Sequence, residues 1–301
     1  MPYPTNDYIK QLAFEAGASA AGIVTLGPVD ERAESIYRNW IAQGRHGEMG
    51  YLEKYADVRH DPRLLLDGAK SMIVAAFSYY SPGLYDGNKG ERLRWARYAL
   101  GRDYHEEVRE RLGRVAEAIT AATGAQCRVT VDTAPLRERY WAVKAGVGFI
   151  GINNQLIVPG AGSWCVLGEI ITTLDLEPDA PCTATCDGCM RCVRACPGHA
   201  LDGHGGMDAR RCMSYLSIEY RGDEIPDFGD RIYGCDICQE VCPHNAGTKK
   251  TEIENFRPRP SILSLTRSDI LTMEQSDFSR IFTHSAIKRT KLAGLRRNAR
   301  H

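Results

Sequence analysis

The chain has 301 residues, with 38 basic and 38 acidic side chains and a formal net charge of zero. Balanced charge excludes a globally basic nucleic-acid binder and leaves only local patches to attract phosphate. No apolar run approaches the roughly 20 residues that span a bilayer, and the length suffices for two modest domains with cores of their own.

Residues 1–175 alternate helix and strand patterns and read as an α/β domain. A helix near 5–17 stops at Gly17, a strand follows over Ala20-Ala21-Gly22-Ile23-Val24, and a second helix covers about 30–43. Ser71-Met72-Ile73-Val74-Ala75-Ala76-Phe77 is a short apolar run of the kind that forms a buried strand. The clearest helix begins after Asp103, with Glu106 in capping-box position; Val108, Leu112, Val115 and Ile119 keep helical spacing, and Gly124 ends it. Cys127 to Val131 is then a strand, Pro135 opens a helix that Gly146 closes, and Gln155 to Val158 and Trp164 to Thr172 are two more strands. Residues 176–185, rich in Pro and Asp, read as a linker to a second domain that ends near 247; residues 248–301 form a polar, helical tail. The N-terminal MPYPTNDYIKQ carries no charged-then-apolar leader, so a cytoplasmic location is expected.

The second domain carries the most specific signal. Eight of the 11 cysteines fall into two runs: Cys186-x2-Cys189-x2-Cys192-x3-Cys196-Pro197, and Cys212 with Cys235-x2-Cys238-x3-Cys242-Pro243. This is the spacing of bacterial two-cluster ferredoxins, in which the last cysteine of each run crosses to the other cluster. It predicts one 4Fe–4S cluster on Cys186, Cys189, Cys192 and Cys242, and a second on Cys196, Cys212, Cys235 and Cys238. Two zinc sites are the alternative, since CxxC pairs also suit zinc. A disulfide framework does not fit a leaderless chain of this length. Cys127 and Cys165 read as small core residues, and Cys182 lies off-register.

Two clusters imply a redox partner site in the first domain. The chain has no phosphate-binding GxxxxGK[ST] loop, and Gly146-Val147-Gly148-Phe149-Ile150-Gly151 follows a helix rather than the strand a dinucleotide site needs. Its glycines are expected to permit tight turns or close backbone approach to a large ligand. Asp202-Gly203-His204 nearly matches the D-x-H-x-x-G cobalamin motif, but Met207 stands where the glycine belongs, so a polar turn is expected.

Several stretches together resemble the epoxyqueuosine reductase family. They are Arg59-His60-Asp61-Pro62-Arg63, the run from Arg97 to His105, Val131-Asp132-Thr133-Ala134-Pro135-Leu136, Gly146 to Asn154, Gly162-Ser163-Trp164, Leu167-Gly168-Glu169, Cys212 to Leu216, Tyr233-Gly234-Cys235-Asp236 and Cys242-Pro243-His244-Asn245. The match runs in family order over nearly the whole chain. Ile152 departs from it, standing where the family commonly has a lysine or another polar residue. The chain also stops after Arg296-Arg297-Asn298-Ala299, where longer members add helical repeats.

The resemblance implies a cobalamin-binding domain, related to flavin-reductase folds, followed by a two-cluster ferredoxin-like domain. It implies reduction of epoxyqueuosine to queuosine in the anticodon loop of tRNA. Low-potential clusters would feed electrons to a base-off cobalamin with no protein ligand to cobalt; cobalt in its lowest state is a nucleophile able to open an epoxide. By the same resemblance Asp132 is the proton donor, and it would have to stay protonated near neutral pH through burial. Position alone also fits a helix-start Asp that bonds orphan amides. Arg59, Tyr98, Asn154, Ser163, Gly168 and Ser214 are the implied cobalamin contacts. Arg221, with Lys288, Arg289, Arg296 and Arg297 of the tail, is the expected tRNA contact set, and phosphate contacts make such binding salt dependent. Arg92, Arg94, Trp95, Arg97 and Arg102 form a second basic–aromatic stretch, for RNA or corrin side chains. An external low-potential donor such as a flavodoxin or ferredoxin, and a monomeric state, complete the expectation. A reductive dehalogenase-like enzyme and a non-catalytic electron-transfer protein are the competing readings.

Overall fold

The computed structural model describes residues 5–85 and 92–300. Its centre is a four-stranded sheet in the order Ala20–Thr25, Ser71–Ser78, Cys165–Thr172, Cys127–Thr130. Every pairing in that sheet is antiparallel, with Ile23 opposite Ile73, Ile73 opposite Ile170, and Val129 opposite Ile170. The alternating helix–strand pattern pointed to an α/β domain; antiparallel pairing makes it α+β, a difference that apolar runs alone do not encode.

The Ser71–Ser78 strand is buried along its whole length because helices cover both faces. Ile73, Ala75 and Phe77 join one core with Ile9 and Ala13 of the Asn6–Glu15 helix and Val108, Leu112, Val115 and Ile119 of the Tyr104–Thr123 helix. Met72, Val74 and Ala76 point the other way, to Trp141 and Ala142 of the Glu138–Lys144 helix. Gly168 sits beneath the long helix: a Cβ there would lie 2.5 Å from Val108 and 2.7 Å from Leu112, so only glycine lets helix and sheet meet. The structure thus gives Gly168, expected from sequence as a cofactor contact, a packing role.

Local signals placed most helix starts correctly. Thr5, Asp30 and Asp103 all cap helices through their side chains. Glu106 does not close a capping box; its carboxylate pairs with His284 at 2.8 Å and Arg102 at 3.3 Å instead. Pro135 lies in the preceding turn, and the helix it was expected to open starts at Glu138.

The supposed linker is fastened down. Asp179 donates its backbone N–H to the Ile23 carbonyl at the sheet edge, accepts the Ile23 N–H through its side chain at 2.9 Å, and pairs with Lys10 at 2.7 Å. The expected tail is likewise part of the body. Ile262, Ile270, Phe278, Phe282, Ile287, Leu292 and Leu295 form a third core with Trp95, Leu100, Ile218, Ile232 and Tyr233. Its charge pattern resembled a solvated basic arm, but its apolar residues are spread over several short helices too brief to show periodicity. Among the described residues no helix is long and apolar enough to cross a membrane.

Candidate functional site: two cysteine tetrads and an acidic cleft

The eight cysteines gather as two sets. Cys186, Cys189, Cys192 and Cys242 line one recess, together with Ile152, Asn153 and His244. In the other set Cys196, Cys212 and Cys235 all lie within electrostatic reach of Cys238. Each set therefore takes three cysteines from one run and one from across the domain. Backbone amides face the sulfurs: Ala200 donates to Cys196 Sγ at 3.3 Å, and Cys212, Cys235 and Cys242 receive N–H groups of Ser214, Ile237 and His244. Such amides offset the negative charge of thiolate-ligated iron–sulfur clusters and tune their potential. Burial pushes the Cys235 thiol up to about 12, so thiolates there need a cationic centre to hold them. Among the described residues no group of three or more His, Cys, Asp or Glu side chains is arranged to hold a single metal ion.

The hairpin that joins Phe149–Ile150 to Leu156–Ile157 connects these sets to the sheet domain. Its glycines allow close backbone packing: a Cβ on Gly148 would sit 2.3 Å from the Ile157 carbonyl oxygen. Asp202 accepts the His204 and Gly206 amides at 2.7 and 3.0 Å, the polar turn expected there.

Asp132 follows the Cys127–Thr130 strand and has a positive φ of 50°, sparsely populated by residues other than glycine. Its side chain is 54% exposed, with His105, Tyr104 and Arg289 acting on it. Oδ2 lies 3.0 Å from His105 Nε2, and His105 Nδ1 lies 2.6 Å from Asp103. The His105 ring stacks on Tyr104 at 4.0 Å. Burial lowers the His105 pKa, but hydrogen bonds and charge from Asp103 and Asp132 outweigh it and raise it from 6.5 to about 9. Burial raises the Asp132 carboxyl, and the His105 bond and charge, with Tyr104 and Arg289, bring it below its ordinary value. The expectation that burial keeps Asp132 protonated is thus corrected. At neutral pH the proton rests on His105, a residue the sequence left without a role. Both of its ring nitrogens are engaged by carboxylates, so neither is free to bind a metal.

Glu138 and Arg139 complete this cluster of charged groups. Burial and the charge of Asp132 push Glu138 up to about 8, and Arg139 donates to the carbonyl of Asn154. Asn154, itself at φ 59°, is tied to the residue after Glu138 through that bond. Tyr98 packs against Tyr104 at 5.8 Å and shares a 3.3 Å hydroxyl contact with Tyr233, which leads from the cleft to Cys235. Ser214 supplies an amide to Cys212 and its carbonyl to Ser217.

Other expected contacts have different work. Arg59 is buried and donates to the carbonyls of Lys54 and Tyr51 at 3.1 and 3.0 Å. Ser163 is buried between Asn245 and Gln239. Arg297 is 5% exposed and spends its guanidinium on the carbonyls of Leu216, Tyr220 and Gly222, so phosphate cannot reach it. Arg296 donates to the Met273 carbonyl, and Arg221 to Thr290 and Arg289 at 3.3 and 3.2 Å. Lys288 and Arg289 remain exposed; Arg289 pairs with Glu219 at 2.9 Å, lies over the Tyr51 ring at 5.4 Å and acts on Asp132. In the second basic stretch, Trp95 is buried, Arg94 pairs with Asp230 at 3.0 Å, and Arg102 is held by three glutamates. Those residues are internal ties rather than an RNA surface.

An α+β domain with a clustered Asp103–His105–Asp132–Glu138 set, joined to two cysteine tetrads, defines a redox protein of the two-cluster iron–sulfur class. Residues 185–245 match the family model of the 4Fe-4S double cluster binding domain, and residues 59–133 match that of epoxyqueuosine reductase QueG, DUF1730. The epoxyqueuosine reductase of Cellulophaga algicola is 37% identical over 299 residues, covering 97% of this chain and 96% of the relative. A crystal structure of an epoxyqueuosine reductase with a tRNA-Tyr epoxyqueuosine-modified stem loop superposes with TM-score 0.87 at 30% identity, covering 97% of this chain and 79% of that one. A Bacillus subtilis epoxyqueuosine reductase with its aspartate-bearing catalytic loop swung out of the active site matches with the same score, identity and coverage. The chain belongs to the epoxyqueuosine reductase family and is an oxidoreductase, which sets aside a non-catalytic electron-transfer role.

Proposed function

We propose that the protein reduces epoxyqueuosine to queuosine in the anticodon loop of tRNA, with Asp132 delivering the proton that lets the epoxide oxygen depart. Removing that oxygen as water takes two electrons and two protons and leaves a carbon–carbon double bond. The Cys186, Cys189, Cys192, Cys242 set and the Cys196, Cys212, Cys235, Cys238 set would each hold a 4Fe–4S cluster, and the clusters would supply single electrons. A cobalamin bound beside Asp132 would supply a cobalt nucleophile. The half-exposed Asp132 carboxylate leaves an open polar side for such a group; Tyr98, Asn154 and Ser214 are the residues that would hold it.

The observation that carries the reading is the Asp132–His105 pair. His105 holds a proton at Nε2, 3.0 Å from Asp132 Oδ2, so a carboxylate facing the substrate can take that proton and pass it on. Positioned acid–base groups of this kind contribute about 10²–10⁴-fold to rate. The aspartate-bearing catalytic loop of the Bacillus subtilis relative supports a loop aspartate in this role. The relative crystallised with a modified tRNA stem loop supports the substrate, and exposed Lys288 and Arg289 are the tail residues left to meet its phosphates.

Asp132→Asn tests the reading in reconstituted protein. The expected result is unchanged iron and cobalamin content with turnover of epoxyqueuosine-modified tRNA reduced about a hundredfold or more. A fully active variant removes Asp132 from the mechanism, and a protein that binds no cobalamin removes the reaction.

A further inference from the structure

The Asp132 turn needs a second hold besides His105. We propose that Glu138 is the positioning residue of this turn, its carboxyl oxygen gripping the Asp132 N–H so that the left-handed residue keeps its side chain in the cleft. The inference rests on the proposed role of Asp132 as proton donor.

The geometry is specific. Asp132 has φ 50°, a conformation that costs a residue other than glycine free energy and persists only where neighbours impose it. Its N–H donates to Glu138 Oε1 at 2.5 Å, six residues along the chain. Glu138 opens a helix anchored in the sheet core by Trp141 and Ala142. His105 fixes the other end of the same residue, the carboxylate. One partner thus holds the backbone and the other the side chain, and both stand on helices whose cores are separate.

The groups facing Glu138 are Asp132, Arg139 and His105, with buried Glu169 on the sheet behind it. Glu169 bonds to Thr130 at 2.9 Å, the last residue of the strand that leads into the turn. Burial and the Asp132 charge favour the protonated form of Glu138 near neutral pH. A neutral carboxyl still accepts an N–H through its carbonyl oxygen. The hold therefore depends on the acceptor oxygen, and glutamine can replace it.

Hydrogen–deuterium exchange of the cluster-loaded protein tests this directly. In Glu138→Ala, exchange over residues 131–133 should accelerate about tenfold, the loss of one hydrogen bond. Turnover should fall about tenfold in kcat with KM little changed, since the acid is misplaced while the substrate surface is intact. Glu138→Gln should stay within about threefold of wild type in both readouts. Exchange over 131–133 that matches wild type in Glu138→Ala overturns the proposal. So does acceleration confined to residues 139–145, which marks Glu138 as a helix-start residue only, and so does a Gln variant as defective as Ala. If Asp132→Asn is fully active, the proton-donor reading fails, while the exchange comparison still decides whether Glu138 holds the turn.

Discussion

Replacing Asp132 by asparagine removes one of the two carboxylates that hold His105, and the histidine itself should report the loss. In the wild type, Asp103 at 2.6 Å and Asp132 at 3.0 Å overcome the burial penalty and carry the His105 pKa from 6.5 to about 9. The Asp132 side chain is half exposed, so water screens that arm, and a screened ion pair contributes about 1 kcal/mol. One pH unit of titration corresponds to about 1.4 kcal/mol. His105 in Asp132→Asn should therefore titrate slightly under one pH unit below wild type, at about 8, with Asp103 supplying the rest. The raised pKa also fixes a sign. The pairing stabilises the start of the Tyr104–Thr123 helix fully below pH 6.5 and loses that contribution as pH climbs through about 9. Deuterium exchange at the imidazole C2 position, followed by mass spectrometry across a pH series, resolves each histidine separately. A wild-type His105 that titrates at its ordinary value, or one that titrates identically in both proteins, refutes the pairing and the proton route built on it.

His105→Gln should retain both clusters but reduce turnover about tenfold to a hundredfold, with the loss concentrated in kcat; steady-state kinetics on modified tRNA check it. Cys196→Ser should disturb the cluster shared with Cys212, Cys235 and Cys238 and spare the other set, and electron paramagnetic resonance of the reduced protein separates the two. Arg297→Ala leaves three half-buried carbonyls without their partner, so it should cost about 2–3 kcal/mol and lower the melting temperature by roughly 5 °C. Its tRNA affinity at a temperature where it stays folded should match wild type, whereas a phosphate-binding arginine would show the reverse.

The parts of this molecule that a sequence displays are the parts set by short-range rules. Thr5, Asp30 and Asp103 cap helices because their side chains reach amides two or three residues away, and the cysteine spacing encodes loops of fixed size. Contacts across long separations are invisible to such rules. His105 and Asp132 lie 27 residues apart, and nothing in either local pattern announces the pair, although His105 stands in the Arg102-Asp103-Tyr104-His105 motif with a carboxylate two residues before it. Charge density misled for a related reason. A row of arginines reads as a solvated surface, yet Arg297 is surrounded by carbonyls left over where short helices end. Gly168 and Ser163 sit in matched motifs because the sheet, helix and cluster domain must pack closely there, and motif matching alone does not separate packing from ligand contact.

That junction bears on how the cysteine domain is held against the sheet domain. Ser163 donates its N–H to Asn245 Oδ1 at 2.7 Å; Asn245 returns a bond to Ser163 Oγ at 3.0 Å, and Gln239 donates to the Ser163 carbonyl at 2.8 Å. Asn245 follows Cys242 by three residues, and Gln239 adjoins Cys238, so one buried network touches the carriers of both cysteine sets. Arg97 adds a second tie: its N–H reaches Asp236 at 2.8 Å, and its guanidinium stacks 5.3 Å from Trp164, beside Ser163. Apolar packing would join the two domains at least as strongly, because buried polar networks gain little net stability. What such a network adds is directionality, since a shifted or rotated interface leaves its donors and acceptors unpaired at a cost of about 1–3 kcal/mol each. Electron transfer falls steeply with distance, so a reductase of this plan needs its clusters held at one separation from the cleft more than it needs a stickier interface. The buried Ser163–Asn245–Gln239 set meets that need, and it accounts for polar residues at a position where burial alone would favour valine or leucine.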